Sequence, residues 1–403
     1  MKIIISGAGI GGLTAALCFA RHGATVTVLE RAPELAEVGA GIQIPPNAMK
    51  VFEALGLQDA LAEIAFRPEA IEARMGRSGL ELFNIPLAKA AIARWGAPYL
   101  HIHRADYISV LENALRMQAP NAIRLGAELV SYSQTKTGVT AILADGSEES
   151  GDVLIGADGI HSPVRETMLG PQAPVFTGNV AWRAVVPIEK LGDLAPRPTA
   201  CAWMGAGKHC VTYRLRRGEL ANLVAVVERD DWTVESWPVS WVERGTHEEA
   251  LADFQGWHPT ITRLLSEASE LYRWALLDRA PLQTWVDGRV ALLGDAAHPM
   301  LPFMAQGAAM AVEDAFVLAD ELAKSDDINK GLHAYQQRRL KRTAAVQTGS
   351  RANAKTFHRR SLAAQFATYG PMWLAGKMAP TAIHARQDWL YGHDVTASRA
   401  SPA

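Results

Sequence analysis

Three short segments of this 403-residue chain combine residue types and spacings that suit phosphate and polar-ligand chemistry. The first is Gly7-Ala8-Gly9-Ile10-Gly11-Gly12, a G-x-G-x-x-G run with Gly7, Gly9 and Gly12 at the motif positions. Gly7 permits a tight turn, Gly9 lets a pyrophosphate approach the backbone, and Gly12 lets a helix pack on a strand. The helix that follows would aim free N–H groups and a positive dipole end at the phosphates. Glu30 stands 18 residues after Gly12, where a ribose hydroxyl pair would be read. The second segment is Asp158-Gly159, a sharp exit from the apolar run Val153-Leu154-Ile155. The third is Gly294-Asp295, which follows Val290-Ala-Leu-Leu and precedes Pro302 and Gln306-Gly307. A carboxylate at a strand's C-terminal end is where open α/β sheets bind ligands. A fourth set is His209, Val211 and Tyr213, alternating with Cys210, Thr212 and Arg214. At period two His209 and Tyr213 share a face, with backbones about 13 Å apart.

The elements that must position these groups are legible in outline. Lys2 to Ser6 reads as a buried parallel strand, Leu13 to His22 as a helix stopped by Gly23, and Ala24 to Leu29 as a second strand. The first twenty residues superficially resemble a secretory leader, but four glycines interrupt the apolar run and no polar cleavage segment follows. Between residues 179 and 275 the texture turns strand-rich: Ala181–Ile188, Thr199–Met204, Lys208–Arg216 and Glu219–Glu228 predict an antiparallel sheet. Residues 73–99, with Gly76, Gly79, Pro86 and Pro98, are assigned to the same sheet. Ala308 to Leu322 has helical composition, and from Tyr335 onward one or two more helices are expected. Trp389-Leu-Tyr391 at their end is expected to dock on the body or on the mate of a homodimer.

Composition narrows the function classes. Apolar residues make up 49% and charged residues 20%, which excludes chain-wide disorder, collagen and coiled coil. Forty basic against 42 acidic residues give a net charge of −2, so no nucleic acid or anionic membrane partner is expected. No 18-residue apolar window predicts a membrane span. Cys18, Cys201 and Cys210 are too few and too scattered for a disulfide framework or a metal site, and the chain reads as cytoplasmic. Trp232, Trp237, Trp241 and Trp257 lack basic interleaving and read as core or pocket wall. His298 reads as structural, and Arg338-Arg339-Leu-Lys341-Arg342 as a solvated helix face.

Taken together, the segments resemble the class A flavoprotein monooxygenases, single-component aromatic hydroxylases that use FAD. The resemblance runs nearly the whole chain, in order. It is carried by the glycine motif with Glu30-Arg31, Gly39-Ala-Gly41-Ile42-Gln43 with Pro46-Asn47-Ala48, His103-Arg104-Ala-Asp106, Asp158-Gly159, and Trp285-Val-Asp-Gly288-Arg289 leading into Gly294-Asp295. Within that family the chain is similar to the salicylate, 3-hydroxybenzoate and 6-hydroxynicotinate hydroxylases. The resemblance implies a Rossmann-like α/β FAD-binding domain (1–72, 100–178 and 276–330). This would be interleaved with an antiparallel-sheet substrate domain (73–99 and 179–275) and followed by C-terminal helices (331–403). It implies that Gly7, Gly9, Gly12, Glu30, Arg31, Gln43, Arg104, Asp158, Asp295, Gly307 and Ala308 hold the cofactor. NADH or NADPH would be a transient co-substrate and O₂ the oxidant, acting through a flavin C4a-hydroperoxide on a small phenolic aromatic acid. The relatives use a His matching His209 as a base toward the substrate hydroxyl, and the hydroxynicotinate enzyme also uses a Tyr matching Tyr213.

Departures from the relatives shape the substrate expectation. The hydroxynicotinate enzyme carries His where this chain has Gln43 and Phe303, which argues against a hydroxypyridine carboxylate. The 3-hydroxybenzoate enzyme carries Gln at the place of Pro302. Val211, Pro302 and Phe303 are expected to line the substrate pocket, and salicylate or a related hydroxybenzoate is the leading expectation. Arg183 and Arg214 are candidates for the substrate carboxylate, although Arg214 should point away from His209. The Gly-Trp-x-Trp-x-Ile-Pro segment of flavin halogenases is absent. The alternatives are a hydroxylase of an N-heteroaromatic such as a hydroxypyridine carboxylate and a non-catalytic FAD-binding redox protein.

Overall fold

The computed structural model describes residues 1–35, 41–229 and 242–397. Gly39, Trp232, Trp237 and Trp241 therefore lie outside the described residues. The strand Lys2–Ser6 carries Ile3, Ile4 and Ile5, all fully buried, as befits the middle of a parallel sheet covered on both faces. It pairs in parallel with Thr25–Glu30 on one side and Val153–Gly156 on the other. Ile123–Leu125 extends the first side and Val290–Leu292 the second. The sheet order thus reverses at Lys2–Ser6, which is where open α/β sheets hold ligands beyond the strands' C-terminal ends. Gly7, Asp158 and Gly294-Asp295 all follow such ends, and Glu30 closes its strand.

A second sheet of eight strands carries the other candidate residues. Its order runs Val242–Arg244, Tyr272–Asp278, Val175–Pro187, Leu220–Glu228, Lys208–Leu215, Ala200–Gly205, Ala70–Met75 and Glu81–Pro86. All neighbours are antiparallel except Ala200–Gly205 with Ala70–Met75, which run parallel because the chain returns to the first sheet between them. One face packs on the helices His247–Asp253 and Pro259–Glu267, burying Cys201, Cys210, Trp203 and Trp257 in an apolar core. Both thiols are buried and unbonded, and burial raises their pKa values far above the reactive range. The opposite face presents His209, Val211 and Tyr213. A separate two-stranded ribbon, Gly41–Ile44 with Leu100–His103, bridges the two sheets.

The C-terminal helices are longer and more deeply packed than the sequence suggested. Ile328–Phe357 spans 30 residues and lies along Gly307–Lys324. The Arg338–Arg342 run is a correction to the solvated-face expectation. Arg339 is 1% exposed and donates to Asp314 and Glu313, each at 2.6 Å, while Arg342 donates to both oxygens of Glu313 at 2.7 Å. Lys341 stays exposed on the outer face. The acidic partners sit on another helix, so local charge pattern could not reveal them. Asp314 also accepts from the Gly294 N–H at 3.2 Å and from His298 at 2.5 Å, while Glu313 accepts from Asn47 at 2.7 Å. Residues 389–391 dock on this chain: Leu390 and Tyr391 are buried beside Trp95 and Tyr99, and Arg342 donates to the Trp389 and Leu390 carbonyls.

Burial alone would raise the Glu313 pKa, yet Arg339 and Arg342 hold it down at about 2. Replacing Arg339 by Met leaves two buried carboxylates under-compensated, and the expected loss of stability is about 3–5 kcal/mol by denaturant unfolding near neutral pH. A carboxyl held below its ordinary value of 4.5 stabilises above that value and loses its contribution as pH falls toward 2. The gap between the wild type and Arg339→Met should therefore shrink on acidification. A pH-independent gap would show that the ion network is not its source.

Candidate active site

The cofactor-side groups assemble around the sheet reversal. Gly7 adopts φ +100°, and a Cβ there would lie 2.5 Å from the Ala157 carbonyl oxygen. A Cβ on Gly12 would collide with the Gly7 carbonyl, so this glycine lets helix Ile10–Arg21 rest on the turn. Gly9 differs, because a Cβ there would meet nothing within 4 Å. It faces the open space that a pyrophosphate would occupy. The helix starts with no side-chain cap and no acid in its first turn, which leaves its N–H groups available to an anion. Glu30 accepts the Ala8 N–H at 2.8 Å and the Ala32 N–H at 2.9 Å, and so fixes the turn from below. Arg31 beside it is exposed.

Asp158 and Asp295 complete the cleft. Asp158 accepts from the Ser6 hydroxyl at 3.1 Å, while its other oxygen is buried without a protein partner. Burial pushes its pKa up to about 6, opposed in part by the nearby Ser162 and Ser6 hydroxyls. Asp295 is reached by solvent, yet it lies deep enough among protein groups that desolvation raises its pKa, opposed by the positive fields of His298 and Arg104. Arg104 opens helix Arg104–Gln118 and faces Asp295 electrostatically. Gly307 and Ala308 begin a second uncapped helix, Gly307–Lys324, and a Cβ on Gly307 would lie 4.0 Å from Asp295 Oδ1. Two open helix N-termini, an open-faced glycine and an unpartnered buried carboxylate oxygen fit an elongated dinucleotide such as FAD.

Beside the cleft lies a cavity of about 750 Å³ with mostly apolar walls. Val211, Pro302 and Phe303 line it, as does Gln43, which accepts the Tyr99 hydroxyl at 2.5 Å. The Pro302–Phe303 turn is held by helix Ile328–Phe357. Ser350 donates to the Leu301 carbonyl at 2.5 Å, and Asn353 to the Phe303 carbonyl at 3.0 Å. His209 is 1% exposed and stands one side chain back from the cavity. Its ring meets Phe303 edge-on at 4.9 Å and Phe357 at 5.1 Å, and both phenyl rings are cavity walls. Burial holds its pKa well below the ordinary histidine value, so the ring is neutral near pH 7.

Tyr213 shares the face of His209 but does not line the cavity. Its ring packs on His101 at 4.8 Å and beneath Gly41, where a Cβ would lie 2.5 Å from Tyr213 Cε2. Tyr213 thus sits beneath the ribbon, outside the walls of this cavity. The bridging ribbon covers it, and the tyrosine supports the strand that presents Gln43. Neither carboxylate candidate lines the cavity: Arg214 donates to the Pro196 carbonyl at 2.9 Å, and Arg183 stacks over Trp274. Arg386, which the sequence did not single out, is the basic residue among the described lining residues. His358 was also missed. Its Nε2 lies 2.6 Å from His209 Nδ1, across 149 residues of chain, and no local pattern could have signalled the contact.

The glycines give a direct test of the cleft. Gly9→Ala should leave apoprotein stability within about 1 kcal/mol, since this N-cap has an extended backbone that alanine also adopts and the space is open, yet sharply weaken retention of FAD. Gly12→Ala should lower apoprotein stability itself. Titration of the apoproteins with FAD and thermal unfolding separate the two. Equal loss of stability in both variants would contradict the assignment of Gly9 to the ligand.

The comparisons with known proteins agree with this geometry. The family model described as FAD binding domain matches residues 1–350. The chain is 40% identical over 395 residues to 3-hydroxybenzoate 6-hydroxylase 1 of Aquipseudomonas alcaligenes, covering 98% of each chain. It is 37% identical to the 3-amino-4-hydroxybenzoate 2-monooxygenase PtnB3 of Streptomyces platensis, covering 98% of this chain and 96% of that one. Among solved structures, a salicylate hydroxylase substrate complex superposes with a TM-score of 0.81 at 28% identity, covering 98% of this chain and 96% of that one. With the glycine turn, the two open helix ends and the adjoining apolar cavity, these likenesses lead to one conclusion: the chain belongs to the FAD binding domain family and is an FAD-dependent aromatic monooxygenase.

Proposed function

We propose that the protein hydroxylates a small phenolic aromatic acid of the hydroxybenzoate type, with NAD(P)H as the electron source. The observation that carries this reading is the neutral, buried His209, placed behind Phe303 on the cavity side of the eight-stranded sheet. Bound FAD, once reduced, supplies activated oxygen to an electron-rich ring. The protein's part is to make the ring electron-rich and keep water away. Removing the hydroxyl proton raises the ring's nucleophilicity, and a neutral imidazole accepts that proton near pH 7. In this reading His209, behind Phe303, would take the hydroxyl proton past the edge of that ring or through one bridging water. Phe303, Phe357 and Val211 exclude bulk water and fit an aromatic ring by area and shape. Arg386 supplies positive charge for the carboxylate. The similarity to hydroxybenzoate enzymes supports the same substrate class. The cavity has no histidine at Gln43 or Phe303, which favours a benzoate over a hydroxypyridine carboxylate.

The test is a screen of hydroxybenzoates for substrate-stimulated NAD(P)H oxidation with product identification. For the best substrate, His209→Gln should retain flavin absorbance but lose about 10²-fold or more of the hydroxylation rate, with peroxide replacing product. Arg386→Gln should raise KM several-fold, about 1 kcal/mol, and leave kcat largely unchanged. Full coupled hydroxylation by His209→Gln across the pH range would refute the role given to His209.

A further inference from the structure

His209 is 1% exposed, so bulk solvent barely touches its ring. Its flanks are the carbon surfaces of Phe303 and Phe357. Among the described residues, one polar route leaves it. His209 Nδ1 lies 2.6 Å from His358 Nε2, and His358 Nδ1 lies 3.0 Å from Glu228 Oε1. Glu228, on the neighbouring strand Leu220–Glu228, has a side chain 25% exposed and pairs with Arg360 at the surface. His358 follows the end of helix Ile328–Phe357 and is itself buried.

The carboxylate fixes the proton positions. Ionised Glu228 only accepts, so His358 Nδ1 must donate to it. A neutral His358 then offers a lone pair at Nε2, and His209 Nδ1 must donate to that. His209 is left with a bare Nε2, the atom that a base needs. Among the described residues, the hydrogen bond that this ring makes is the one at Nδ1.

We propose that His209, His358 and Glu228 form a proton exit from the substrate cavity, a role that rests on the reading of His209 as the base. The substrate O–H bond breaks as an N–H bond forms at His209 Nε2. The Nδ1–H bond of His209 breaks as one forms at His358 Nε2. The Nδ1–H bond of His358 breaks as the proton passes to Glu228 and on to water. The same path in reverse returns a proton to the product's oxygen and restores both tautomers. His358 is thus a relay and positioning residue, acting through His209.

The surrounding charges favour this direction of travel. Burial lowers the proton affinity of both rings, and a base that holds a proton poorly serves only where the proton moves on. His358 faces Glu228, which raises its affinity, and Arg360, which lowers it. The nearest cation on the strand of His209, Lys208, turns to the Asp253 carbonyl and away from the relay.

The test uses the FAD holoenzyme and 3-hydroxy-4-nitrobenzoate, whose phenolate absorbs visible light. Stopped-flow mixing with a pH indicator dye reads phenolate formation and proton release together. Wild type should form phenolate and release a proton in step. His358→Ala should release it at least about tenfold more slowly, with added imidazole restoring the rate, and Glu228→Gln should also be slow. His209→Gln should form no phenolate. Where His358→Ala does not fold, Glu228→Gln decides. Wild-type release rates in Glu228→Gln and His358→Ala, with phenolate lost in His209→Gln, would overturn the relay and leave the base assignment standing. Normal phenolate formation in His209→Gln, or none in the wild type, would overturn the base assignment and the relay with it.

Discussion

The structure depends on one buried guanidinium. Arg339 holds Glu313 and Asp314 on the neighbouring helix, and those two carboxylates in turn hold most of what surrounds the site. Asp314 fixes the Gly294 backbone and His298, so the turn bearing Asp295 is set by this ion pair. Glu313 holds Asn47 beside the ribbon that presents Gln43, and Arg342 carries the network out to the carbonyls of residues 389 and 390. Cofactor turn, ribbon and cavity wall are therefore referenced to one charge cluster. A buried ion cluster is costly to form and still more costly to break. Its value here lies in registering segments that come from distant parts of the chain.

That registry explains how two sheets make one site. The parallel sheet ends in groups suited to phosphates and ribose. The eight-stranded sheet supplies His209 and Val211. Residues 299–303 join them, pinned along Ile328–Phe357 by Gln347, Ser350 and Asn353. The same helix ends at His358. A single rigid element thus holds the aromatic wall of the cavity and the first group on the path leading protons away from it.

What could be read from the sequence follows the range of the interactions. The glycine turn, the helix after it and Glu30 were legible because a βαβ unit is local. Its steric demands fall on residues within about 30 positions. The shared face of His209 and Tyr213 was legible because a pleat has period two. The different fates of these two side chains were not, since they depend on the Gly41–Ile44 strand crossing above Tyr213. Arg339 looked like one member of a solvated charge run because its partners lie on another helix. His358 and Arg386 had no motif at all. Their positions come from where the C-terminal helices end in space.

The central claim is that the cavity activates a phenol by removing its proton. The most direct measurement compares a hydroxybenzoate accepted by the enzyme with its methyl ether, under saturating O₂ and NAD(P)H, counting hydroxylated product per reduced nicotinamide consumed. The phenol should give close to one product per reductant. The ether, with no proton to lose, should stimulate reductant oxidation but yield peroxide in place of product. Equal hydroxylation of both would contradict the account.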